Sequence, residues 1–588
     1  MISSHRRPIL TGTGLLSLLL ALVTLLFCSC EVLFPEYSGE SAALPTDAPR
    51  QMPRFSEIVY TRPDLEALCG DFDTLCDDLT ENRLSRRDAL SRLQTVYREY
   101  DDFYTMRSVA ELRYYHNVTD SFYADEFDWF LEAEPEVDQC FVALCRSSAN
   151  CELADYLDYA FWGGWVVEEY GETGDSPESS STDSAFYDLI RQENAILSEY
   201  HRITADPTVF WQGEERSYLE LSWDDSIDSE EWTEINGLYY EKYTPILGEL
   251  YIRLVGVRQQ MADYLGLSGY EEYAYYALYD RDYSPAKAVE LLTEIREILA
   301  PVYTDLGIHA RWDQLRYTEL NEAENLEALG CAAEAMGGSI AEAYADLARY
   351  ELYDIDVSEK KGDTSFQCYL YSYDQPFVFV KTEGFSDDIL NFGHEFGHFA
   401  DAWYNHNATG SYDLSEVFSQ GMEYLLLSRV PEDYREELTE FKLLDTLDTF
   451  LEQGSFAEFE HEVYARPAAE WTVEELNSLS LRLARDYGYL RSDAEEYYGK
   501  NWIDIPHFFD RPFYVVSYCV SNGAAFQIYE RECAEPDAGL DCWNDMLPRN
   551  RDSFLETVIR QGGLEDPFAP GRMEKVAALL REKLGPLG

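Results

Sequence analysis

The chain has 588 residues, 46% of them hydrophobic and 15% aromatic, which is enough for one large folded body or for several domains. It carries 45 Lys and Arg residues against 112 Asp and Glu residues, a formal net charge of −67. Binding of nucleic acid and of anionic membrane surfaces depends on basic groups. The composition therefore argues against both partners, and leaves open whether an acidic cleft attracts cationic peptides.

The first 30 residues have the layout of an export signal. Arg6 and Arg7 precede Leu15–Phe27, an apolar run too short for a comfortable membrane span. Ser29 and Cys30 then resemble the end of a bacterial lipoprotein signal, in which the cysteine carries lipid. We expect an exported cell-surface protein whose contact with the membrane is an acyl anchor on Cys30. A secreted protein cut nearby is the alternative.

The segment 31–52 contains three prolines and a glycine among small polar residues, which predicts a flexible linker. The folded body is predicted over 53–588. Its apolar residues recur at intervals of three and four over 62–79 and 85–104, the spacing of amphipathic helices. Ten cysteines follow Cys30, and an exported protein can form disulfides, but the sequence does not fix their pairing.

Further along the chain, the polar stretch 171–184 predicts a surface loop and 244–305 predicts long helices, one of which starts at Ser284 and Pro285. Aromatic and β-branched residues over 365–381 predict a strand pair with a turn near residues 373–375. A helix follows at once, after Asp387 and Asp388, which we expect to cap its start.

This helix carries HEFGH, residues 394–398. Because His394 and His398 are four residues apart, both imidazoles lie on one face and can reach a single metal ion. Glu395 leaves the helix at a different angle and can deprotonate the attacking water. The next predicted helix, 413–427, offers Glu416 and Glu423 as the third ligand of a two-His, one-Glu site; the spacing does not decide between them.

A related zinc site with three histidines is excluded, since HExxHxxGxxH requires Gly and His where this chain has Asp401 and Tyr404. His406 lies in a polar stretch nearby and is a weak candidate for a metal ligand.

With these motifs the chain resembles the family of thimet oligopeptidase and oligoendopeptidase F. HEFGH is similar to the family's HExGH, and EVFSQ at 416–420 is similar to its EAPSQ, whose Glu is the third zinc ligand. The resemblance selects Glu416 over Glu423, although Phe418 replaces the usual proline. Gln420 lies one turn after Glu416, where it could orient a ligand histidine.

The segment 505–525 resembles the family's IPHF…FYVYxYA stretch. Carried over from that stretch, His507, Tyr514 and Tyr518 would bind the substrate and stabilise the oxyanion that forms during attack on the carbonyl. Val516 stands where another tyrosine is common, so the division of roles between the two tyrosines is open; we prefer Tyr518 for the oxyanion.

The resemblance implies a mostly α, two-lobed helical body with a deep central channel and a small β-sheet beside the HExxH helix. It implies one Zn²⁺ ion and hydrolysis of internal bonds in short peptides inside the channel. The predicted strand pair would offer an exposed edge near the metal, and we expect the strand near residues 377–381 to hold the substrate backbone by β-augmentation. We expect a monomer. The alternatives are a carboxydipeptidase or aminopeptidase with the same metal site, or an inactive peptide-binding lipoprotein.

Overall fold

The computed structural model describes residues 51–162, 166–171, 179–222, 224, 226–407, 411–491, 495–549 and 553–586. The predicted signal and all but the end of the predicted linker lie outside these residues. Among the described residues, no helix combines the length and apolar character needed to cross a bilayer.

The described residues are mostly helical. The helices of the N-terminal half are α1 Leu65–Thr80, α2 Arg86–His116, α3 Ser121–Ala149, α4 Ala154–Leu157, α5 Val166–Tyr170, α6 Ser179–Ala205, α7 Tyr218–Ser222, α8 Ser229–Leu265, α9 Tyr270–Tyr273, α10 Pro285–Leu306 and α11 Ile308–Gln314. Those of the C-terminal half are α12 Glu322–Met336, α13 Gly338–Tyr350, α14 Asp388–Asn405, α15 Tyr412–Arg429, α16 Glu432–Asp448, α17 Gly454–Tyr464, α18 Val473–Asp486, α19 Glu495–Tyr498, α20 Pro506–Asp510, α21 Val516–Ala534, α22 Ala538–Met546, α23 Leu555–Gln561 and α24 Arg572–Leu584.

Short helical turns of other types connect several of these elements. Single π-helical turns lie at Asp158–Trp162, Ala274–Leu278 and Thr449–Gln453, and 3₁₀ turns at Phe55–Glu57, Tyr371–Tyr373, Ala468–Glu470 and Asn501–Asp504. The buried apolar residues form one continuous core from Met52 to Leu580, beside a small satellite cluster around Phe127.

Two small sheets accompany the helices. Strands β1 Thr208–Trp211 and β2 Glu214–Ser217 form an antiparallel hairpin. In the second sheet, β5 Gln375–Phe379 lies between β3 Tyr353–Asp354, to which it is parallel, and β4 Phe366–Leu370, to which it is antiparallel. This sheet packs against α14, so the predicted mostly α fold with a small sheet beside the HExxH helix is confirmed.

The sheet corrects one expectation about the substrate. The strand near residues 377–381 was expected to hold a peptide backbone, but its residues 378 and 379 pair with strands on both sides and leave no free edge there. The edge strand is β4, and Phe366 and Gln367 at its start line the cavity described below. β-Augmentation requires an edge strand, so the expectation moves from β5 to β4.

Most local predictions agree with the structure. Ser284 caps α10 by accepting a hydrogen bond from the amide of Lys287, with Pro285 in the first turn. Two predictions are wrong: α6 already begins at Ser179, inside the predicted loop 171–184, and Asp387 makes no side-chain cap to α14. The carboxylate of Asp388 instead accepts from the amides of residues 383–385, so it fixes the loop that enters the helix. The ten described cysteines form no disulfide with one another.

Candidate metal centre

Two helices that cross at close range, α14 and α15, build the site. On α14, Phe392, Phe396 and Phe399 are fully buried at helical spacing and anchor the helix in the core. Gly397 lies at the crossing point, where a Cβ would come within 2.5 Å of the Ser419 Cα atom of α15. Only glycine allows this approach, which brings the HEFGH face against α15.

Helix α15 is buried on all sides over residues 413–427. Buried polar groups are costly unless they have partners, so the carboxylates on this helix require dedicated ones. Asp413 pairs with Arg281 at 3.4 Å, and Glu416 accepts from Ser419 Oγ at 2.9 Å. Glu423 pairs with Lys442 Nζ at 2.6 Å.

The predicted ligands converge. His394 Nε2 lies 3.3 Å from Oε2 of Glu416, and His398 Nε2 lies 3.7 Å from Oε1. One donor atom from each of the three residues lies within 4.8 Å of the others. Two imidazole nitrogens and one carboxylate are the donor set of catalytic zinc sites that keep a position open. The residues therefore fit a metal ion.

The Nδ1 atoms of the two histidines point away from the converging group and have hydrogen-bond partners of their own. His394 Nδ1 lies 2.8 Å from Oε1 of Glu423, and His398 Nδ1 lies 2.9 Å from Ser415 Oγ. Such partners fix the orientation of ligand histidines. Glu423, the competing ligand candidate, therefore contacts the outer ring nitrogen of His394 and lies outside the converging group, and its position two turns after Glu416 was the signal for it.

Two weaker candidates do not belong to this group. The hydrogen bonds of Gln420 go elsewhere: its Nε2 donates to the Tyr518 carbonyl at 3.3 Å, and its Oε1 accepts from Ser521 Oγ at 2.9 Å. His406 ends α14, is 73% exposed, and pairs with Asp374 at 3.0 Å. The orienting role expected for Gln420 is filled by Glu423 and Ser415.

Glu395 is buried beside the ligands and faces the cavity. Burial raises the pKa of its carboxyl to about 8. Its Oε2 atom has no hydrogen-bond partner among the described residues. A buried carboxylate oxygen without a protein partner is suited to receive a proton from water or substrate.

The three candidate residues of the C-terminal segment, His507, Tyr514 and Tyr518, make two separate hydrogen-bond contacts. Tyr514 Oη donates to Oε1 of Glu416 at 2.5 Å, whereas His507 Nε2 lies 3.1 Å from Tyr518 Oη. Tyr514 therefore contacts the candidate metal ligand Glu416, whereas Tyr518 contacts His507. All three rings line the same cavity as Glu395.

The charge states follow from burial and from neighbouring charges. Although burial raises the pKa of Glu416, the nearby His398 and His394 lower it to about 2, so the carboxylate is ionised. Burial lowers the pKa of His398 to about 4, which leaves the neutral imidazole that metals bind. Burial and the charge of Arg511 lower the pKa of His507 to about 4 as well.

The cavity lies between the N-terminal helices and the metal centre. Its walls come from α2, α3 and α6 on one side and from α14, α15 and the segment 506–518 on the other. Residues 363–367, which lead into the edge strand β4, close a third side.

Comparison with known proteins agrees with this architecture. Residues 55–163 match the peptidase M3 N-terminal domain, and residues 347–578 match peptidase family M3. The chain is 26% identical over 225 residues to group B oligopeptidase PepB of Streptococcus agalactiae, covering 36% of this chain and 37% of that protein. It is 25% identical over 191 residues to an oligoendopeptidase F homolog of Borreliella burgdorferi, covering 30% of this chain and 32% of that protein. These alignments thus span about a third of each relative's length.

The fold is shared with solved structures over nearly their whole length. PZ peptidase A, solved with an inhibitor, superposes with a TM-score of 0.74 at 21% identity and covers 90% of this chain and 99% of its own. Oligoendopeptidase F from Enterococcus faecium gives a TM-score of 0.56 at 16% identity, with 88% and 96% covered. The family is metal-dependent, in keeping with the His/His/Glu set. Both of its domain models and this shared fold lead to one conclusion: the chain belongs to peptidase family M3.

Proposed function

We propose that this protein is an exported zinc metallopeptidase that hydrolyses internal bonds of short peptides. One observation carries the chemistry: the donor atoms of His394, His398 and Glu416 converge beside the buried carboxylate of Glu395, inside a cavity walled from both sides. Two imidazoles and one carboxylate are the protein ligands of catalytic Zn²⁺ in known zinc peptidases. Bound there, Zn²⁺ would polarise the scissile carbonyl and lower the pKa of the attacking water.

Glu395 is the proposed general base and acid. Its unpartnered Oε2 accepts the proton of the attacking water and then delivers it to the leaving amine. This requires the ionised form, and a nearby divalent cation stabilises the ionised form of a carboxylate. The pKa near 8 set by burial describes the residue without such a cation.

Tyr518 is the proposed oxyanion donor. Burial keeps its pKa well above the ordinary value, so the hydroxyl holds its proton at neutral pH. His507, neutral at this pH, lies within hydrogen-bond distance of that hydroxyl and orients it. Hydrogen-bond donors that are already positioned where negative charge develops in the transition state supply a large share of the rate enhancement in acyl transfer.

The peptide substrate is proposed to lie along β4. Phe366 and Gln367 of this edge strand and the residues just before it line the cavity. An extended peptide added to this edge would run across the metal centre and would be held by main-chain hydrogen bonds.

The decisive test compares the wild type with Glu395→Gln, using quenched fluorescent peptides with and without blocked ends. The variant is expected to bind metal as the wild type does and to lose nearly all turnover; a chelator should abolish wild-type activity, and zinc should restore it. Retained turnover in Glu395→Gln would refute the assignment. Cleavage restricted to free-ended peptides would replace the endopeptidase mode with an exopeptidase mode.

Export and the lipid anchor are proposed from the sequence alone. Expression in a bacterial host followed by membrane fractionation and mass spectrometry tests them. An acylated Cys30 is the expected result, and a mature chain that begins elsewhere without lipid would contradict it.

A further inference from the structure

The short helix α20 carries His507, the residue proposed to orient the Tyr518 hydroxyl. A single helical turn is not stable by itself, because too few hydrogen bonds form within it to offset the cost of ordering the chain. Its position therefore depends on its neighbours. His507 and Asp510 are three residues apart, share one face of the turn and line the cavity. Phe508 and Phe509 lie between them and are fully buried.

The buried side of α20 is attached to helices α6 and α8. The rings of Tyr200 on α6 and of Phe509 stack, with 4.1 Å between their centres and 9° between their planes. Arg258 on α8 is fully buried and donates to the carbonyl of Phe508 at 3.1 Å and to that of Phe509. These contacts hold the backbone and the apolar side of the turn, and leave its cavity-facing side to other partners.

An ion pair reaches the cavity-facing side of α20. Nε2 of His201, on α6, lies 3.1 Å from Oδ1 of Asp510, and the two side chains are 16% and 28% exposed. Both residues line the cavity. Charge-assisted hydrogen bonds of this kind are stronger than neutral ones. The pair therefore joins the N-terminal wall of the cavity to the turn that carries His507.

The charges around His201 favour its protonated form. Burial alone would lower the pKa of His201, but the charge of Asp510 and the hydrogen bond to it raise that pKa above its ordinary value, with smaller contributions from acidic residues nearby. The charged groups that surround the pair from the neighbouring elements are Glu111 and Arg107 of α2, Asp128 of α3, Arg202 of α6, Asp363 before β4, and Arg511 after α20. His201 therefore keeps its proton to a higher pH than an ordinary histidine does, and the ion pair is lost only as pH rises through that raised pKa.

We propose that His201 is a positioning residue: through Asp510 it fixes α20 so that His507 lies against the hydroxyl that stabilises the oxyanion. This inference rests on the proposed peptidase function and adds to it a residue from the N-terminal half of the chain. The effect passes through two other residues, so it requires no contact between His201 and the peptide. When His201 loses its proton, the ion pair becomes a neutral hydrogen bond and holds the turn less tightly.

Kinetics of the zinc-loaded protein test this role with three variants. His201→Gln keeps a donor near the place of Nε2 but removes the charge, and His201→Ala removes both. Arg253→Gln is the matched control, since it removes an exposed ion pair between α6 and α8. At about pH 6, below the ordinary pKa of histidine, kcat should fall about five- to tenfold in His201→Gln and about 10- to 100-fold in His201→Ala. KM should change little, and the control should match the wild type.

Two readouts separate positioning from a merely structural role. The ratio of wild-type kcat to that of His201→Gln should fall toward unity as pH rises through the pKa of His201, because neutral histidine and glutamine offer Asp510 the same kind of bond. His201→Ala should lose most of its effect in a Tyr518→Phe background, since both changes act on the same hydroxyl. A ratio that does not change with pH, additive effects of the two substitutions, or a rise in KM with unchanged kcat would overturn the proposal.

A measurement without turnover separates this inference from the proposed function. Hydrogen exchange of the backbone amides over residues 506–511 should be faster in His201→Ala than in the wild type and in Arg253→Gln, because α20 loses a contact. If this occurs while the wild type hydrolyses no peptide, the peptidase proposal fails and the attachment of α20 by His201 stands. If peptides are hydrolysed and His201→Ala changes neither exchange nor kcat, the peptidase proposal stands and this inference fails.

Discussion

The contacts of Tyr514 and Tyr518 predict that removing the hydroxyl of each one impairs a different property of the protein. Tyr514 Oη donates to the buried carboxylate of Glu416 at 2.5 Å, whereas Tyr518 Oη lies 3.1 Å from Nε2 of His507. Tyr514→Phe should therefore weaken metal binding, and Tyr518→Phe should slow the chemical step. The rings keep their packing in both variants, since only a hydroxyl is removed.

The magnitudes follow from the hydrogen bonds that are lost. A bond to a charged group contributes about 1.5–3 kcal/mol, so Tyr514→Phe should weaken zinc affinity by about 10- to 100-fold, the range seen for partners of metal ligands. Its kcat at saturating zinc should fall less than that of Tyr518→Phe. Loss of an oxyanion donor costs about 100- to 1,000-fold in kcat, and the zinc affinity of Tyr518→Phe should stay close to that of the wild type.

Both quantities are accessible in one preparation. Zinc affinity is measured by competition with a chromophoric chelator, and kcat is measured with a fluorogenic peptide at saturating zinc. Tyr276→Phe, at a tyrosine that is 44% exposed, is the matched control. The reasoning fails if Tyr514→Phe binds zinc as tightly as the wild type, or if Tyr518→Phe loses zinc affinity while keeping its kcat.

Three further outcomes are expected. Gly397→Ala forces α14 from the α15 backbone, which lies 2.5 Å from the added Cβ; it should lower the unfolding free energy by about 1–3 kcal/mol and impair zinc binding, as urea titration and chelator competition would show. Glu423→Gln removes the charged partner of His394 Nδ1 and should weaken zinc binding about tenfold, and it should also lower the melting temperature because the buried Lys442 loses one of its carboxylate partners; unchanged zinc affinity would contradict this role. Burial raises the pKa of Glu460 to about 8, so the folded state binds the extra proton and the unfolding free energy falls as pH rises from about 4.5 to 8, by at most about 1.4 kcal/mol per pH unit. Glu460→Gln should flatten that pH dependence of the melting temperature, and an unchanged slope would count against it.

Local sequence determined the elements that need only local physics. The spacing of His394 and His398 places both on one helix face whatever surrounds them, because the helical repeat fixes it. The Ser284–Pro285 start of α10 depends on its own backbone amides. The strand pair β4–β5 and the turn between its strands were also predicted from the sequence, because the preference of aromatic and β-branched residues for strands acts within a few residues.

Some errors had long-range causes. Strand β5 was a plausible peptide-binding strand until β3, which comes from a separate segment of the chain, occupied its second edge. Gln420 lies on a suitable face of its helix, but α21 brings Ser521 and the Tyr518 carbonyl to it before any ligand histidine. The local sequence pattern of a strand or helix does not determine which segment from elsewhere in the chain packs against it.

By itself, the sequence determined the helical class, the HEFGH helix and the pairing of His394 with His398, because these depend on residue type and on spacing within one element; it left Glu416 and Glu423 open as the third ligand, and only the family resemblance selected Glu416. Only the tertiary structure decided that Glu423 orients His394 instead of competing with Glu416, that Tyr514 and Tyr518 make different contacts, and that Arg511 enters the cavity. Each of these depends on which side chains from distant segments share a buried space, since a buried charge or hydroxyl takes the partner that packing brings within about 3 Å.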